Sequence, residues 1–272
     1  MLTRRNFLQV GAGAAALAAG LRPAQAKELK DIRIGLQLYS LRNECKKDIE
    51  ATIKGVGELG YDGVEFAGYW GKDAPQLKKL LDASGLACCG THTHVNTIQG
   101  DELKKTAAFH TILGNKYLIV PSLPGNLRGD TKEKWTEVAK FFSDAAAKAK
   151  PLGMRVGYHN HSYEFKKIGD TTGWDIFFGN AAKDVVMQLD TGNCMGGGGD
   201  PVAILKKFAD RAATVHVKDK GSSVVGEGQA DWKGLLAAVD PNVTEWFIVE
   251  FGGGGLPVAK ANLANLRKML GK

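Results

Sequence analysis

The chain has 272 residues, 44% of them hydrophobic and 24% charged, with a formal net charge of +7. A balance this mild, spread along the chain, speaks to solubility and gives no support for nucleic-acid binding. The length suits one α/β barrel better than one sandwich domain. The four cysteines, Cys45, Cys88, Cys89 and Cys194, form no C-x-x-C pair, which excludes a zinc ribbon or a dithiol redox motif.

At the start, Thr3-Arg4-Arg5-Asn6-Phe7-Leu8 precedes an apolar, Ala- and Gly-rich stretch from Val10 to Leu21. Ala24-Gln25-Ala26 then supplies a small-x-small cleavage site. Residues 1–26 therefore read as a signal peptide, with an apolar region too short to span a bilayer. The paired arginines before Phe-Leu mark it as twin-arginine type, which addresses a folded protein for export. Its removal leaves 246 residues, 27–272, and takes Arg4, Arg5 and Arg22 with it, lowering the formal charge from +7 to +4. No second apolar stretch approaches the roughly 20 residues a membrane crossing needs. The mature protein is expected to be soluble and periplasmic. Folding before export takes place in a reducing compartment, which predicts free, buried thiols rather than disulfides.

From residue 27 onwards one pattern recurs eight times: a short apolar segment ending in polar residues, then a stretch of helical period. The predicted strands are Ile32–Tyr39, Gly63–Phe66, Ala87–His92, Tyr117–Pro121, Arg155–His159, Val185–Asp190, Thr214–Val217 and Trp246–Glu250. Between them, Ile49, Ile53, Val56 and Leu59 share one helical face over 49–59, and Val138, Phe142 and Ala145 do so over 135–150. A last helix covers 263–270. Strict alternation of strand and helix argues for a parallel sheet wrapped by helices. Eight units at this length favour a closed (β/α)8 barrel, the TIM barrel, over an open doubly wound sheet, in a single domain spanning 27–272. Two glycine runs, Gly196–Gly199 and Gly252–Gly255, follow strands that end in an acid, so they read as flexible loops or as places of close approach to a ligand. Neither matches a nucleotide-phosphate motif.

Chemistry concentrates where the last four strands end. The fifth ends Tyr158-His159-Asn160-His161 and the sixth ends Leu189-Asp190-Thr191-Gly192-Asn193. The seventh reads Val215-His216-Val217-Lys218-Asp219 and the eighth ends Val249-Glu250. In a barrel these positions share one mouth. A lone histidine or a lone aspartate before Thr-Gly has a structural explanation, but four such groups at equivalent places need pairing or a metal. His159, Asp190, His216 and Glu250 are the candidate ligands. Their nitrogen and oxygen donors suit one divalent ion, Mn, Co, Zn or Mg, without choosing among them. Gln37 and Tyr39 on the first strand, Glu65 on the second, His92 ending the third, Lys218, and Glu164 add polar groups suited to a polyhydroxylated ligand. Tyr69, Trp70 and Trp232 offer aromatic faces, each equally explained by packing.

At these residues the chain resembles the sugar phosphate isomerase/epimerase family, the xylose-isomerase-like barrels that include ketose 3-epimerases, inosose dehydratase and endonuclease IV. The resemblance rests on Gly63-Val64-Glu65, Gly90-Thr91-His92, Tyr158-His159-Asn160-His161, Leu189-Asp190-Thr191-Gly192-Asn193, Val215-His216-Val217-Lys218-Asp219, Gly226-Glu227-Gly228 with Trp232, and Val249-Glu250. It implies Asp190, His216 and Glu250 as ligands. Counted from Gly153, His159 stands where the ketose epimerases carry a glutamate that is both ligand and acid/base. Asn193 stands where a substrate-contacting histidine is frequent.

The resulting expectation is a metal-dependent sugar isomerase or epimerase that abstracts a proton beside a carbonyl to give an enediolate. Glu250 is the first choice of base, with Glu65 or Glu164 assisting. His92, Glu164, Asn193, Lys218 and Gln37 are the expected substrate contacts. A lyase or dehydratase acting on a 3-keto sugar, 3-keto glycoside or inosose shares the first step. A non-catalytic sugar-binding barrel is the other alternative, and the export signal speaks against a DNA-repair endonuclease. No phosphate cradle is visible, so the expected partner is an unphosphorylated small carbohydrate, with no nucleic acid and no membrane; homo-oligomerisation stays open. Changing Arg4→Lys together with Arg5→Lys is expected to hold the precursor in the cytoplasm. Normal periplasmic delivery of that double variant would refute the twin-arginine reading.

Overall fold

A computed structural model describes residues 26–272; residues 1–25, which carry the leader reading, lie outside the described residues. Eight parallel strands form the barrel: β1 Arg33–Gln37, β2 Gly63–Phe66, β3 Ala87–His92, β4 Tyr117–Val120, β5 Arg155–His159, β6 Val186–Asp190, β7 Thr214–Val217 and β8 Trp246–Val249. Each pairs with its neighbours in sequence, and β8 closes on β1. The (β/α)8 architecture is the one the alternating pattern predicts. The first strand ends two residues early, because the Gln37 side chain accepts from Tyr39 N–H and turns the chain into a 3-10 segment, Leu38–Leu41.

The helices follow the same agreement. Ile49–Leu59 has the predicted bounds and is capped by Asp48. The helix predicted at 135–150 starts earlier, at Lys132, under a Thr131 cap, and ends at Ala149. The last helix runs Gly255–Leu270, absorbing part of the second glycine run. No helix among the described residues is long and apolar enough to cross a membrane. The four cysteines are free and buried, as folding in a reducing compartment predicts.

Period-two alternation divides each strand between two environments. Outward residues such as Val215, Val217, Met187 and Leu189 join the large core beneath the helices. Inward residues at the lower end form a separate apolar plug of Cys89, Tyr117, Ile119, Val186, Ala213, Trp246 and Ile248. Above the plug the interior turns polar, with Gln37, Glu65, His159, Gln188, Asp190, Thr214 and His216 all buried. A register shift between Val64 and Glu65 pairs Glu65 with Gly90, and a Cβ on Gly90 would stand 2.6 Å from Glu65 Oε1. Only glycine leaves room for that carboxylate. The Gly196–Gly199 run makes room for protein as well: a Cβ on Gly197 would overlap the Ser162 carbonyl oxygen.

The loop after β7 is organised by one side chain. Asp219 Oδ1 accepts from Lys220 N and Ala230 N, while Oδ2 accepts from Gly226 N, Gly228 N and Trp232 Nε1. Trp232 is thereby a structural member of the loop. In Asp219→Asn, either orientation of the amide turns a donor towards N–H groups. At about 1–3 kcal/mol per buried unpaired group, the expected loss is about 2–4 kcal/mol of folding stability. An unchanged urea midpoint for this variant would contradict the hub.

Candidate metal centre and its cavity

At the C-terminal ends of the strands, His159, Asp190, His216 and Glu250 each place one ligand atom within 4.8 Å of all the others. Their inward direction follows from strand parity on β5 to β8. His216 stands between two carboxylates: Nε2 lies 2.6 Å from Glu65 Oε2 and Nδ1 lies 2.9 Å from Glu250 Oε2. Lys218 Nζ donates to the other Glu250 oxygen at 2.9 Å. Asp190 Oδ1 accepts from Asn193 N–H at 2.6 Å, capping the short helix Thr191–Gly196. Asp190 Oδ2 is buried with no hydrogen-bond partner.

The electrostatics follow from this packing. Burial lowers the tendency of His216 to ionise, but Glu65 and Glu250 outweigh it and raise its pKa to about 10. Burial likewise disfavours the Glu250 carboxylate, yet the His216 hydrogen bond and the charges of His216 and Lys218 hold its pKa well below the usual value. Asp190 moves the other way, pushed up to about 7 by burial and by the charge of Glu250. Burial, with His216 and His92 nearby, keeps His159 well below its ordinary range and so neutral. A neutral imidazole and an aspartate with an unsatisfied buried oxygen are the condition of ligands prepared for a cation. The donor set, two imidazoles and two carboxylates without thiolate, fits a divalent ion.

Beside this cluster opens a cavity of about 540 Å³, whose walls include Tyr39, Tyr69, His92, His159, His161 and Glu250. Among the described residues that line it, Glu250 is the only carboxylate and none is lysine or arginine. Residues 53–269 match the family model for the xylose isomerase-like TIM barrel. The chain belongs to that family. It is 24% identical to an inosose dehydratase of Clostridium beijerinckii, an alignment covering 80% of this chain and 89% of the relative. It is 28% identical to an inosose dehydratase of Serratia proteamaculans, covering 70% of each. The crystal structure of a sugar phosphate isomerase/epimerase from Parabacteroides distasonis superposes with a TM-score of 0.78 at 23% identity, over 93% of this chain and 99% of that one.

Within this xylose isomerase-like barrel the residues singled out from sequence fall into three places. The four expected ligands converge, and His92 joins the cavity wall. Gln37 and Glu65 lie beneath the histidines, both fully buried, with Gln37 Nε2 donating to Glu65 Oε2 at 2.6 Å. Neither lines the cavity; Glu65 Oε2 lies 2.6 Å from His216 Nε2. Lys218 is half-buried against Glu250, and the Asn193 side chain donates to the Asn160 carbonyl oxygen. Glu164 is also fully buried and off the cavity wall. Its Oε1 accepts from Tyr158 Oη at 2.7 Å and its Oε2 from His161 N–H at 3.0 Å, which uses both oxygens. The spacing from His159 suggested a substrate contact; the 3-10 segment Tyr163–Phe165 instead turns the side chain back under the loop.

Three residues escaped the sequence reading. Asn160 clamps β5 to β6 by accepting from Asp190 N–H and donating to Asp190 O. His161 brings an exposed imidazole to the cavity wall. Gln188 joins Glu65 to two histidines. The signal for Gln188 was available as a polar residue sharing the parity of Asp190 in an otherwise apolar strand.

Glu164 has a measurable signature. Burial pushes its pKa from 4.5 to about 7, against the hydrogen bond from Tyr158. The folded state therefore binds this proton more tightly than the unfolded chain, and stability falls as pH rises between those values. Relative to Glu164→Gln, the wild type is expected to lose up to about 1.4 kcal/mol per pH unit across that window. Parallel stability profiles for the two proteins would exclude the assignment.

Proposed function

We propose that this protein abstracts a proton beside the carbonyl of an uncharged sugar or cyclitol with the help of a divalent ion, and that loss of a hydroxyl completes the reaction. The carrying observation is the cavity wall, which offers one carboxylate, Glu250, flanked by imidazoles. One base with neighbouring proton donors suits elimination, in which a single face is deprotonated and the departing hydroxyl is protonated. The match to inosose dehydratases over most of the chain supports this reading.

A divalent ion held by His159, Asp190, His216 and Glu250 would act as a Lewis acid on a carbonyl and so acidify the adjoining C–H. Glu250 would then take the proton on a carboxylate oxygen, with Lys218 Nζ 2.9 Å from Oε1 favouring its ionised form. His161, on the cavity wall, is placed to donate to a substrate hydroxyl, and His92 beside it to accept from one through Nδ1. Tyr39 and Tyr69 line the same cavity and bring apolar ring surface to it. The absence of lysine and arginine from the described wall supports an unphosphorylated substrate. The leader read at residues 1–26 supports action outside the cytoplasm. Sugar isomerisation or epimerisation is the second reading, favoured by His161, whose imidazole would serve as the second acid/base.

The test combines metal content, product mass and solvent exchange. Purified protein is expected to hold about one divalent ion per chain, and Asp190→Ala to lose most of it. With the ion present, an inosose should lose one water and a 3-keto glycoside should release its aglycone as the alcohol, both read by mass spectrometry, while heavy water labels the carbon beside the carbonyl. Glu250→Gln is expected to slow turnover by about 10²–10⁴-fold with much less change in ligand affinity. Retention of wild-type exchange in Glu250→Gln would move the base elsewhere. No exchange by wild type across inososes, ketoses and 3-keto sugars would leave a sugar-binding barrel.

A further inference from the structure

A neutral imidazole carries one lone pair, so a histidine can serve as a ligand only through the ring nitrogen that lacks the proton. Hydrogen bonds to the other nitrogen decide which one that is. His159 has its Nδ1 3.1 Å from Gln188 Oε1, and His92 has its Nε2 2.8 Å from the same oxygen. The direction of both bonds depends on which way the Gln188 amide faces.

That orientation is set from outside the histidine cluster. Tyr39 donates its backbone N–H to Gln37 Oε1 at 3.0 Å, and a backbone N–H cannot reverse its role. The Gln37 nitrogen is therefore the atom that faces Glu65 Oε2, at 2.6 Å. Glu65 Oε1 faces Gln188 Nε2 at 2.8 Å, and the same nitrogen donates to Thr214 Oγ1 at 3.0 Å. Turning the Gln188 amide over would set its oxygen against a carboxylate oxygen at that distance. The carbonyl of Gln188 thus faces the histidines, and its two lone pairs match two N–H donors.

We propose that Gln188 is a positioning residue whose carbonyl holds His159 with its proton on Nδ1, leaving Nε2 as the donor atom, and that with Glu65 Oε2, 3.3 Å from the same nitrogen, it holds His92 with its proton on Nε2. The relay starts at a backbone amide on the barrel mouth and passes through Gln37, Glu65 and Gln188 to the imidazoles. Its role as a ligand-preparing device rests on the place of His159 in the proposed ligand set. A histidine ligand needs such an acceptor, whereas a carboxylate at the same place has no tautomer to set.

Nitrogen-15 spectra of the imidazoles in metal-free wild type at neutral pH test this directly, with His159 assigned by its loss in His159→Asn. The expected result is a protonated Nδ1 and an unprotonated Nε2 for His159; the reverse would overturn the proposal. Gln188→Met, of similar length and without the acceptor, is expected to weaken binding of Mn²⁺ or Zn²⁺ about 10–100-fold in calorimetric titration, with the stoichiometry kept. Wild-type affinity in a folded Gln188→Met would also overturn it. If that variant does not fold, the wild-type spectrum alone decides. If wild type binds neither ion, the metal reading fails, and the spectrum still decides the tautomer.

Discussion

A carboxylate inside a barrel has to be surrounded by donors, and Glu65 is the group on which this site is built. It is fully buried, and it accepts from Gln37, Gln188 and His216. Each of those partners is committed further: Gln37 to Tyr39 N–H, Gln188 to His92 and His159, and His216 to Glu250. Lys218 closes the series on Glu250. The order carboxylate, imidazole, carboxylate, ammonium compensates charge at each step. Removing one member of such a buried set leaves a charge uncompensated, typically a loss of about 3–5 kcal/mol. Asp190 Oδ2 is buried and accepts no hydrogen bond, with Lys218 Nζ 3.9 Å and His216 Nδ1 4.0 Å away. The open valence of the site is located there.

The barrel separates this polar network from the part that holds the fold together. Val186, Ala213, Trp246 and Ile248 help fill the lower interior, and two to four residues later along the same stretches stand Gln188, Asp190, His216 and Glu250. Alternation lets one strand supply apolar surface to the helices and polar groups to the centre without conflict. The loop hub at Asp219 and the Asn160 clamp hold the strand ends in register at the level where the chemistry lies. Stability and reactivity are thus assigned to different heights of one barrel, as this architecture favours.

The barrel and the convergence of the four candidate ligands were legible in the sequence because both depend on periodicity. Strand ends and parity alone bring His159, Asp190, His216 and Glu250 to one rim. What escaped depends on non-local geometry. Glu65 and Gln37 have the parity of site residues but sit one layer lower, and parity does not give depth. Glu164 follows a short turn whose direction is set by Tyr158 and by the His161 backbone, a contact that spacing does not encode. The register shift beside Glu65 changes which residues of β3 face inward, so Cys89 joins the plug while His92 reaches the cavity. Gln188 was visible as an unusual letter in an apolar strand, but its partners lie on β2, β3, β5 and β7.

The histidine at the end of β5 changes what this site can do. Where the resemblance carries a glutamate, His159 contributes a neutral donor, so the ligand set holds two carboxylates rather than three. One of them, Asp190, is raised by burial and tied to Asn193 N–H, which leaves Glu250 as the carboxylate that meets the cavity. A pair of carboxylates could deprotonate and reprotonate a carbon from two sides; one carboxylate cannot. The neighbouring groups on the cavity wall are the imidazoles of His92, His159 and His161, which burial holds below the ordinary histidine range. The substitution at His159 and the acceptor at Gln188 therefore point the same way. Together they trade a second carbon base for a neutral donor, which is in keeping with the elimination proposed above.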